Sequence, residues 1–331
     1  MRLKHLASVC ATLLVAGGLV GEARAGEKLY VYTSMKESLI GALKESFVKQ
    51  HPDIDMVYQS AGAGKLMAKI AAERESGKIL ADVLWTSEVP DFYQMRGQGL
   101  LQPYVSKEIK NVLNPLPNFD GSFTAVRLGT LGIGYNTRFV KEAPKTWADM
   151  KKPAFKGAFG IANPALSGTS YMSVVLLSNT FGWDYFKDLR KNGAKMGKGS
   201  GQVVDDTASG DLLASLAVDY ITLDKIKKGA TLGLTYPPEM IVIPSPVAII
   251  KGTANLPAAQ AFVDFLLSKE GQAIVAASGT LPVRTDVAVP PEYKLPAVAD
   301  AMSRAMKVDY PKVIAEKEAN IKKFTDIMQK K

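Results

Sequence analysis

The chain has 331 residues, with 41 lysines and arginines against 32 aspartates and glutamates, which gives a formal net charge of +9 at neutral pH. Two histidines and one cysteine are too few for a histidine zinc cluster or a disulfide framework. The basic residues are scattered and do not alternate with aromatic residues, so a nucleic-acid-binding surface is not expected. The positive excess instead favours the approach of small anions.

The first 25 residues have the pattern of a secretory signal peptide. Two basic residues precede a mostly apolar run at 6–20, and a small-x-small sequence ends at Ala25. The run is too short to span a membrane, so we predict cleavage after Ala25 and export to the periplasm. Cys10 lies in this segment, which leaves the mature chain without a thiol.

Strands and helices alternate at the start of the mature chain, with strands predicted at 29–32, 54–58 and 81–85 and helices at 37–50 and 65–75. This alternation predicts an α/β fold with a parallel sheet, in which ligands bind at the carboxyl ends of the strands. Small, hydroxyl-bearing or glycine residues follow all three strands. The ligand-binding residues predicted there are Ser34, Ser60, Gly62, Gly64, Trp85, Thr86 and Ser87.

The segment 161–177 predicts the end of a strand, a loop and the start of an apolar helix. A helix start carries positive partial charge on unpaired N–H groups, and small residues let an anion approach them. An ordinary N-cap is the alternative interpretation. A second helix start of the same kind at 59–64 favours an anion site, in which the two helix starts close on one anion from opposite sides. The residues predicted at the first of these sites are Ser167, Gly168, Thr169 and Ser170.

Two extended runs divide the rest of the chain. One covers 124–136, after an irregular connector at 113–119, and the other covers 241–251. Each is long enough to leave one lobe and enter another, and the mature length also favours two lobes. We assign 26–125 with 246–285 to the first lobe and 126–245 with 286–331 to the second. The other predicted elements are a helix at 202–209, a strand at 212–219, a loop at 236–239, and helices at 258–267 and 269–276.

Groups that catalysis requires are scarce in the mature chain. Its one histidine, His51, stands at a predicted helix end, where a surface position is expected rather than a general base. Gly64-Lys65 lacks the spacing of a nucleotide phosphate loop, and the glycines at 197, 199 and 201 lack dinucleotide spacing and follow no predicted strand. Asp205-Asp206 is more typical of a solvated turn or an N-cap than of a metal pair. We therefore expect no enzymatic activity, no cofactor and no resident metal.

Several motifs resemble those of one known family. They are VYTS, LADVLW, LGIGYN, SGTSY, ASGD with LAVDY, and IPSPVAIIKGTANLPAAQAFVDFLLSKEGQ. With the signal peptide, they resemble the periplasmic solute-binding proteins of ABC importers, in the type 2 subgroup for iron(III) and phosphorylated organic solutes. The resemblance covers nearly the whole mature chain. It implies two α/β lobes joined by two crossing hinge strands, a ligand cleft between them, and delivery to an inner-membrane ABC permease; we expect a monomer.

The resemblance leaves two classes of ligand. Iron binders of this family place two adjacent tyrosines where this chain has Asp219-Tyr220-Ile221, so one tyrosine remains for a metal. The chain is more similar to relatives that take sugar phosphates or aminoalkylphosphonates, which implies that Asp219, Tyr220 and Glu239 contact the organic part of such a ligand. A core tyrosine is the alternative interpretation of Tyr220. Ferric-iron binding by Tyr220 with an exogenous anion is the alternative function.

Overall fold

The computed structural model describes residues 27–113, 115–116 and 120–329. The predicted signal peptide and part of the predicted connector at 113–119 lie outside these residues. Within the described part of the chain, no helix has the length and apolar character needed to cross a membrane.

The described residues form eleven strands and twelve α-helices. The strands are β1 (Glu27–Thr33), β2 (Ile54–Ser60), β3 (Val83–Trp85), β4 (Leu101–Gln102), β5 (Thr124–Asn136), β6 (Phe159–Ala162), β7 (Lys195–Gly197), β8 (Ala214–Val218), β9 (Leu232–Thr235), β10 (Ile241–Ile250) and β11 (Leu281–Pro282). The helices are α1 (Glu37–Gln50), α2 (Ala63–Glu75), α3 (Val89–Gly97), α4 (Gly168–Phe181), α5 (Asp184–Lys191), α6 (Ser200–Ser209), α7 (Asp219–Lys227), α8 (Leu256–Leu267), α9 (Lys269–Ala277), α10 (Val298–Ser303), α11 (Tyr310–Ala315) and α12 (Lys317–Gln329).

The strands join one mixed sheet, whose main path runs β2-β1-β3-β10-β5-β8-β6-β7. β1 pairs in parallel with β2 and β3, and we call these three strands the β1 side. β6 pairs in parallel with β7 and β8, and these form the β6 side. β5 and β10 run antiparallel to each other between the two sides. The predicted α/β fold, with a parallel arrangement in its first part, is confirmed.

The central strands β5 and β10 have the near-continuous apolar sequence of strands that are covered on both faces. Every residue of β10 is buried, and so is every residue of β5 except the half-buried Tyr135. Pro244 and Pro246 have no N–H to donate, and the register of β10 against β5 shifts between Ser245 and Pro246. Arg127 of β5 pairs with Ser245 at this irregularity.

Two predicted features of the β6 side differ from the structure. The strand predicted at 212–219 is β8, Ala214–Val218, and Asp219 instead begins helix α7. The glycines at 197, 199 and 201 do follow a strand, because β7 ends at Gly197 and α6 begins at Ser200. Both corrections place a helix start at the carboxyl end of a strand.

The C-terminal helices contact both sides of the sheet. α11 packs on α3, which follows β3 of the β1 side. α12 packs on α4 and α5, which follow β6 of the β6 side. Lys317, the first residue of α12, forms ion pairs with Glu88 and Asp91 at the start of α3. The end of the described chain therefore bridges the two sides.

Candidate functional site

A cavity of about 410 Å³ lies between the β1 side and the β6 side. Its wall contains residues from the loops that follow β1 and β2, and from the loops that follow β6, β7 and β8. The carboxyl ends of both sets of parallel strands therefore face it, which is where α/β sheets bind ligands.

Four helices begin at this cavity. α2, α4, α6 and α7 each contribute first-turn residues to the wall, among them Ala63, Gly168, Ser200 and Tyr220. The Ser167 side chain caps α4 by accepting a hydrogen bond from the N–H of Ser170, whereas α2 and α6 have no side-chain cap. Their open N–H groups give the wall a positive partial charge suited to an anion.

Three hydroxyl groups meet where α4 and α6 begin. Ser167 Oγ lies 3.1 Å from Thr169 Oγ1 and 2.8 Å from Ser200 Oγ, and the latter two atoms are 2.9 Å apart. Each hydroxyl can donate one hydrogen bond and accept two. Here the three hydroxyls form hydrogen bonds with one another, but an anion beside them would be a stronger acceptor of hydrogen bonds from them.

Arg127, which the sequence analysis missed, lies in the cavity wall with its side chain 1% exposed. Its Nη1 donates to Thr280 Oγ1 at 2.6 Å and to Asp219 Oδ1 at 3.2 Å. Its buried Nε has no hydrogen-bond partner among the described residues. The guanidinium carbon lies 4.8 Å from the centre of the Tyr220 ring. A buried guanidinium with an unused donor favours an anionic partner in the cavity.

Asp219 is fully buried, and both oxygens of its carboxylate accept hydrogen bonds from other groups of the protein. Its Oδ2 accepts from Thr130 N at 2.8 Å, Thr130 Oγ1 at 3.1 Å and Thr280 Oγ1 at 2.6 Å. Its Oδ1 accepts from Tyr220 N at 2.7 Å as well as from Arg127. Asp219 does not line the cavity. This geometry suits a carboxylate that orients Arg127, rather than the predicted contact with the organic part of a ligand.

Tyr220 lines the cavity and connects the two sides. Its phenolic oxygen accepts a hydrogen bond from the backbone N–H of Lys36, which follows β1, at 3.0 Å. Burial raises the pKa of Tyr220, so the neutral phenol is favoured over the phenolate. Within the described ranges, no group of three or more His, Cys, Asp or Glu side chains could hold a metal ion.

Glycines at the start of α2 allow close contact between the two sides. A Cβ atom built on Gly62 would lie 2.2 Å from the carbonyl oxygen of Leu166, and one on Gly64 would lie 2.2 Å from that of Ala165. Side-chain carbons do not approach backbone oxygens this closely. Gly62 also lines the cavity, whereas Gly64 serves the contact between the sides and lies outside the cavity wall.

The structure brings some predicted ligand-binding residues together and leaves others outside the cavity wall. Those in the wall are Ser34, Ser60, Gly62, Ser87, Ser167, Gly168, Thr169 and Tyr220. Those outside it are Gly64, Trp85, Thr86, Ser170, Asp219 and Glu239.

The residues outside the wall have other contacts. Trp85 is fully buried in β3, and Ser170 Oγ donates to the carbonyl of Ala162 at 2.5 Å. Thr86 Oγ1 accepts from the N–H of Glu88 at 3.3 Å. Glu239 is exposed, and its carbonyl oxygen accepts from Trp147 Nε1 at 2.9 Å.

Six polar residues of the wall were not predicted to bind the ligand: Lys36, Lys65, Arg127, Lys198, Ser200 and Gln202. For two of them, Ser200 and Arg127, the sequence holds a feature that could have drawn attention to the residue. Gly199-Ser200-Gly201 has the same composition as the helix starts that were predicted, and Arg127 is the one charged residue in the run 124–136. The cationic residues of the wall are Lys36, Lys65, Arg127 and Lys198, and no Asp or Glu is among its described residues.

The chain matches a family model described as bacterial extracellular solute-binding protein over residues 78–312. It is 30% identical over 298 residues to an uncharacterized protein from Haemophilus influenzae, covering 84% of each chain. It is 23% identical over 258 residues to a putative 2-aminoethylphosphonate-binding periplasmic protein from Salmonella typhimurium, covering 74% of each chain.

Solved structures show the same fold. The periplasmic binding protein AfuA from Actinobacillus pleuropneumoniae, with exogenous fructose-6-phosphate bound, is 26% identical with a TM-score of 0.78, and the match covers 91% of this chain and 98% of AfuA. Iron-bound HitA from Pseudomonas aeruginosa is 22% identical with a TM-score of 0.75, covering 91% of this chain and 99% of HitA. The fold is that of the type 2 periplasmic binding proteins.

Proposed function

The chain belongs to the bacterial extracellular solute-binding proteins, and we propose that it is the periplasmic receptor of an ABC importer for a small phosphorylated organic anion. The observation that carries this proposal is the buried guanidinium of Arg127 in a cavity wall with no described carboxylate. The likeness to AfuA, with fructose-6-phosphate bound, and to a relative named for 2-aminoethylphosphonate supports a phosphoryl or phosphonate group.

We assign the phosphoryl oxygens to the space beside the starts of α4 and α6 and beside Arg127. The hydroxyls of Ser167, Thr169 and Ser200 and the guanidinium of Arg127 would donate hydrogen bonds to them, together with open helix N–H groups. Hydrogen bonds to a charged acceptor are roughly twice as strong as those between neutral groups. A phosphoryl group supplies enough acceptor oxygens for this set of donors, whereas a neutral sugar supplies no charge.

Capture would follow from closure of the β1 side and the β6 side around the anion. β5 and β10 are the predicted hinge strands, and rotation about them would open the cavity to solvent. Closure excludes water, which strengthens each hydrogen bond to the ligand. The permease would then receive the ligand from a monomeric receptor that it recognises in the closed form.

Ferric-iron binding is the alternative function, since iron-bound HitA has the same fold. Tyr220 would supply the phenolate. Burial raises the pKa of Tyr220, and its oxygen already accepts from the N–H of Lys36. Because the described wall has no Asp or Glu, iron would depend on Tyr220 and an exogenous anion.

Calorimetric titration distinguishes these functions. We expect saturable binding of a phosphorylated sugar or a phosphonate, with glucose 6-phosphate and 2-aminoethylphosphonate as probes, and no binding of glucose. Ferric citrate is the competing probe. A stoichiometric ferric complex whose phenolate colour is lost in Tyr220→Phe, with no binding of either phosphorus compound, would replace the proposal with the alternative.

A further inference from the structure

We infer that the physiological ligand carries a second anionic group besides its phosphoryl or phosphonate group, and that it carries no ammonium group. This inference rests on the proposed function and narrows it. It selects polyanionic solutes, such as phosphorylated sugar acids, over aminoalkylphosphonates and over phosphate esters with a neutral organic part.

The wall holds more positive charge than a phosphoryl group beside Arg127 would use. Arg127 already has one negative partner, Asp219, at 3.2 Å. Three further cations line the wall, Lys36, Lys65 and Lys198, and none of them forms an ion pair with a carboxylate in the described ranges. Their charge is therefore available to the ligand.

Two of these lysines come from opposite sides of the cavity. Lys36 follows β1, and Lys198 precedes α6 on the β6 side. The Lys36 ammonium lies against the first turn of α6, since a Cβ atom built on Gly201 would be 3.9 Å from its Nζ. The α6 start has no side-chain cap. An ammonium group and an open helix start thus lie together at the cavity wall.

The acidic residues of an adjoining groove already have partners. Glu37, Asp205 and Asp224 line a groove that adjoins the cavity and shares Lys36 with it. Glu37 accepts from the Tyr58 hydroxyl, Asp205 pairs with Lys225, and Asp224 pairs with Lys228. A ligand ammonium in the cavity would therefore face lysines without a free carboxylate to balance it.

The charge of the ligand changes the repulsion between the three lysines of the wall. The three lysines are exposed in this structure, so water screens part of their charge. Cations that face one cavity still repel one another. A second anionic group on the ligand removes this repulsion, whereas a ligand ammonium adds to it.

Three six-carbon phosphates of matched size test the inference by calorimetry. Glucose 6-phosphate has a neutral organic part, 6-phosphogluconate adds a carboxylate, and glucosamine 6-phosphate adds an ammonium group. We expect 6-phosphogluconate to bind about 10-fold more tightly than glucose 6-phosphate, the size of one charge-assisted hydrogen bond. Glucosamine 6-phosphate should bind more weakly than both.

Lysine variants locate the effect. Lys36→Gln and Lys198→Gln should each weaken 6-phosphogluconate binding more than glucose 6-phosphate binding. The difference between the affinities for these two phosphates should therefore become smaller. Lys110→Gln is the matched control, because Lys110 is exposed and lies outside the wall, and it should leave both affinities unchanged.

The outcomes separate the two proposals. Equal affinity for the three phosphates, or tightest binding of glucosamine 6-phosphate, overturns the polyanion inference and leaves the proposed function standing. Binding of none of the three, nor of 2-aminoethylphosphonate, overturns the proposed function and the inference with it. The ordering that we expect, with unchanged differences in both lysine variants, refutes the assignment to Lys36 and Lys198.

Discussion

Arg127 and Asp219 form a buried pair whose geometry suits ligand binding better than fold stability. Buried ion pairs contribute little net stability, because the loss of hydration offsets the attraction. Here the Asp219 oxygens accept hydrogen bonds from Thr130, Thr280, Tyr220 and one guanidinium nitrogen of Arg127. These contacts fix the guanidinium beside the cavity and leave Nε unused. We interpret Asp219 as a positioning residue for Arg127.

Arg127→Lys tests this interpretation at a single residue. Lysine keeps the charge but lacks the planar guanidinium that Asp219 and Thr280 hold in the cavity wall. We expect the affinity for glucose 6-phosphate or 6-phosphogluconate to fall by about 10- to 100-fold, the range for one charge-assisted hydrogen bond. Arg284→Lys is the matched control, since Arg284 is also buried but pairs with Glu108 and Asp286 away from the wall. It should lower stability and leave affinity intact; equal loss of affinity in both variants would contradict a specific role for Arg127.

Glu88 gives a prediction of pH dependence. Burial, with the neighbouring Asp91 carboxylate, raises the pKa of Glu88 from 4.5 to about 7, although Lys317 acts in the opposite direction. Between these values the folded protein binds more protons than the unfolded chain, so the free energy of unfolding falls as pH rises. Burial also raises the pKa of Asp91, which acts with the same sign.

Glu88→Gln should flatten this dependence and stabilise the protein at about pH 8 by roughly 1–3 kcal/mol, measured by chemical denaturation. Glu45→Gln is the control, because Glu45 is exposed and pairs with Lys49 on the surface. An unchanged slope in Glu88→Gln would show that Glu88 is ionised throughout this range.

At the scale of elements, the sequence predicted the helix starts better than the polar residues between them. Ser167-Gly168-Thr169 was readable, because helix caps are local and depend on small and hydroxyl residues. Arg127 is the one charged residue of the run 124–136, but its position in the cavity wall could not be predicted, since it stands inside a strand and lies at the register shift beside Ser245 of the paired strand. The hydrogen bonds that Asp219 accepts likewise come from residues far from it in sequence, such as Thr130 and Thr280. Local patterns do not reveal such pairings.

Gly64 tests the contact between the start of α2 and the loop before α4. Gly64→Ala would place a methyl group 2.2 Å from the carbonyl oxygen of Ala165, and a backbone atom cannot rotate away. Overpacking of this kind costs about 1–3 kcal/mol, so we expect ligand affinity to fall by about 10- to 100-fold while the thermal midpoint of the ligand-free protein changes little. Gly97→Ala is the matched control, because a Cβ there meets nothing within 4 Å. Normal affinity in Gly64→Ala would mean that the sides need not approach this closely.

At the scale of the whole molecule, several contacts among the described residues join the β1 side and the β6 side besides the central strands. They include the glycine contacts of α2, the hydrogen bond from Lys36 N to Tyr220, and the ion pairs of Lys317 with Glu88 and Asp91. Each of these contacts joins residues that lie far apart in the chain. A rotation about β5 and β10 would break these contacts together, so the structure has the contacts of a closed form.

Rotation of the two sides about β5 and β10 would change the size of the molecule in solution. A compact chain of the length that remains after the predicted cleavage, 331 − 25 = 306 residues, is expected to have a radius of gyration of about 19 Å. If ligand favours the closed form, small-angle scattering of the wild-type protein should show a larger radius without ligand and a decrease toward this value at saturating 6-phosphogluconate. Gly64→Ala should keep the larger radius at the same ligand saturation, because its methyl group prevents the approach of α2 to the Ala165 carbonyl. A wild-type radius that is the same with and without saturating ligand would refute closure, and the affinity of the cavity would then have to arise in a form that is already closed.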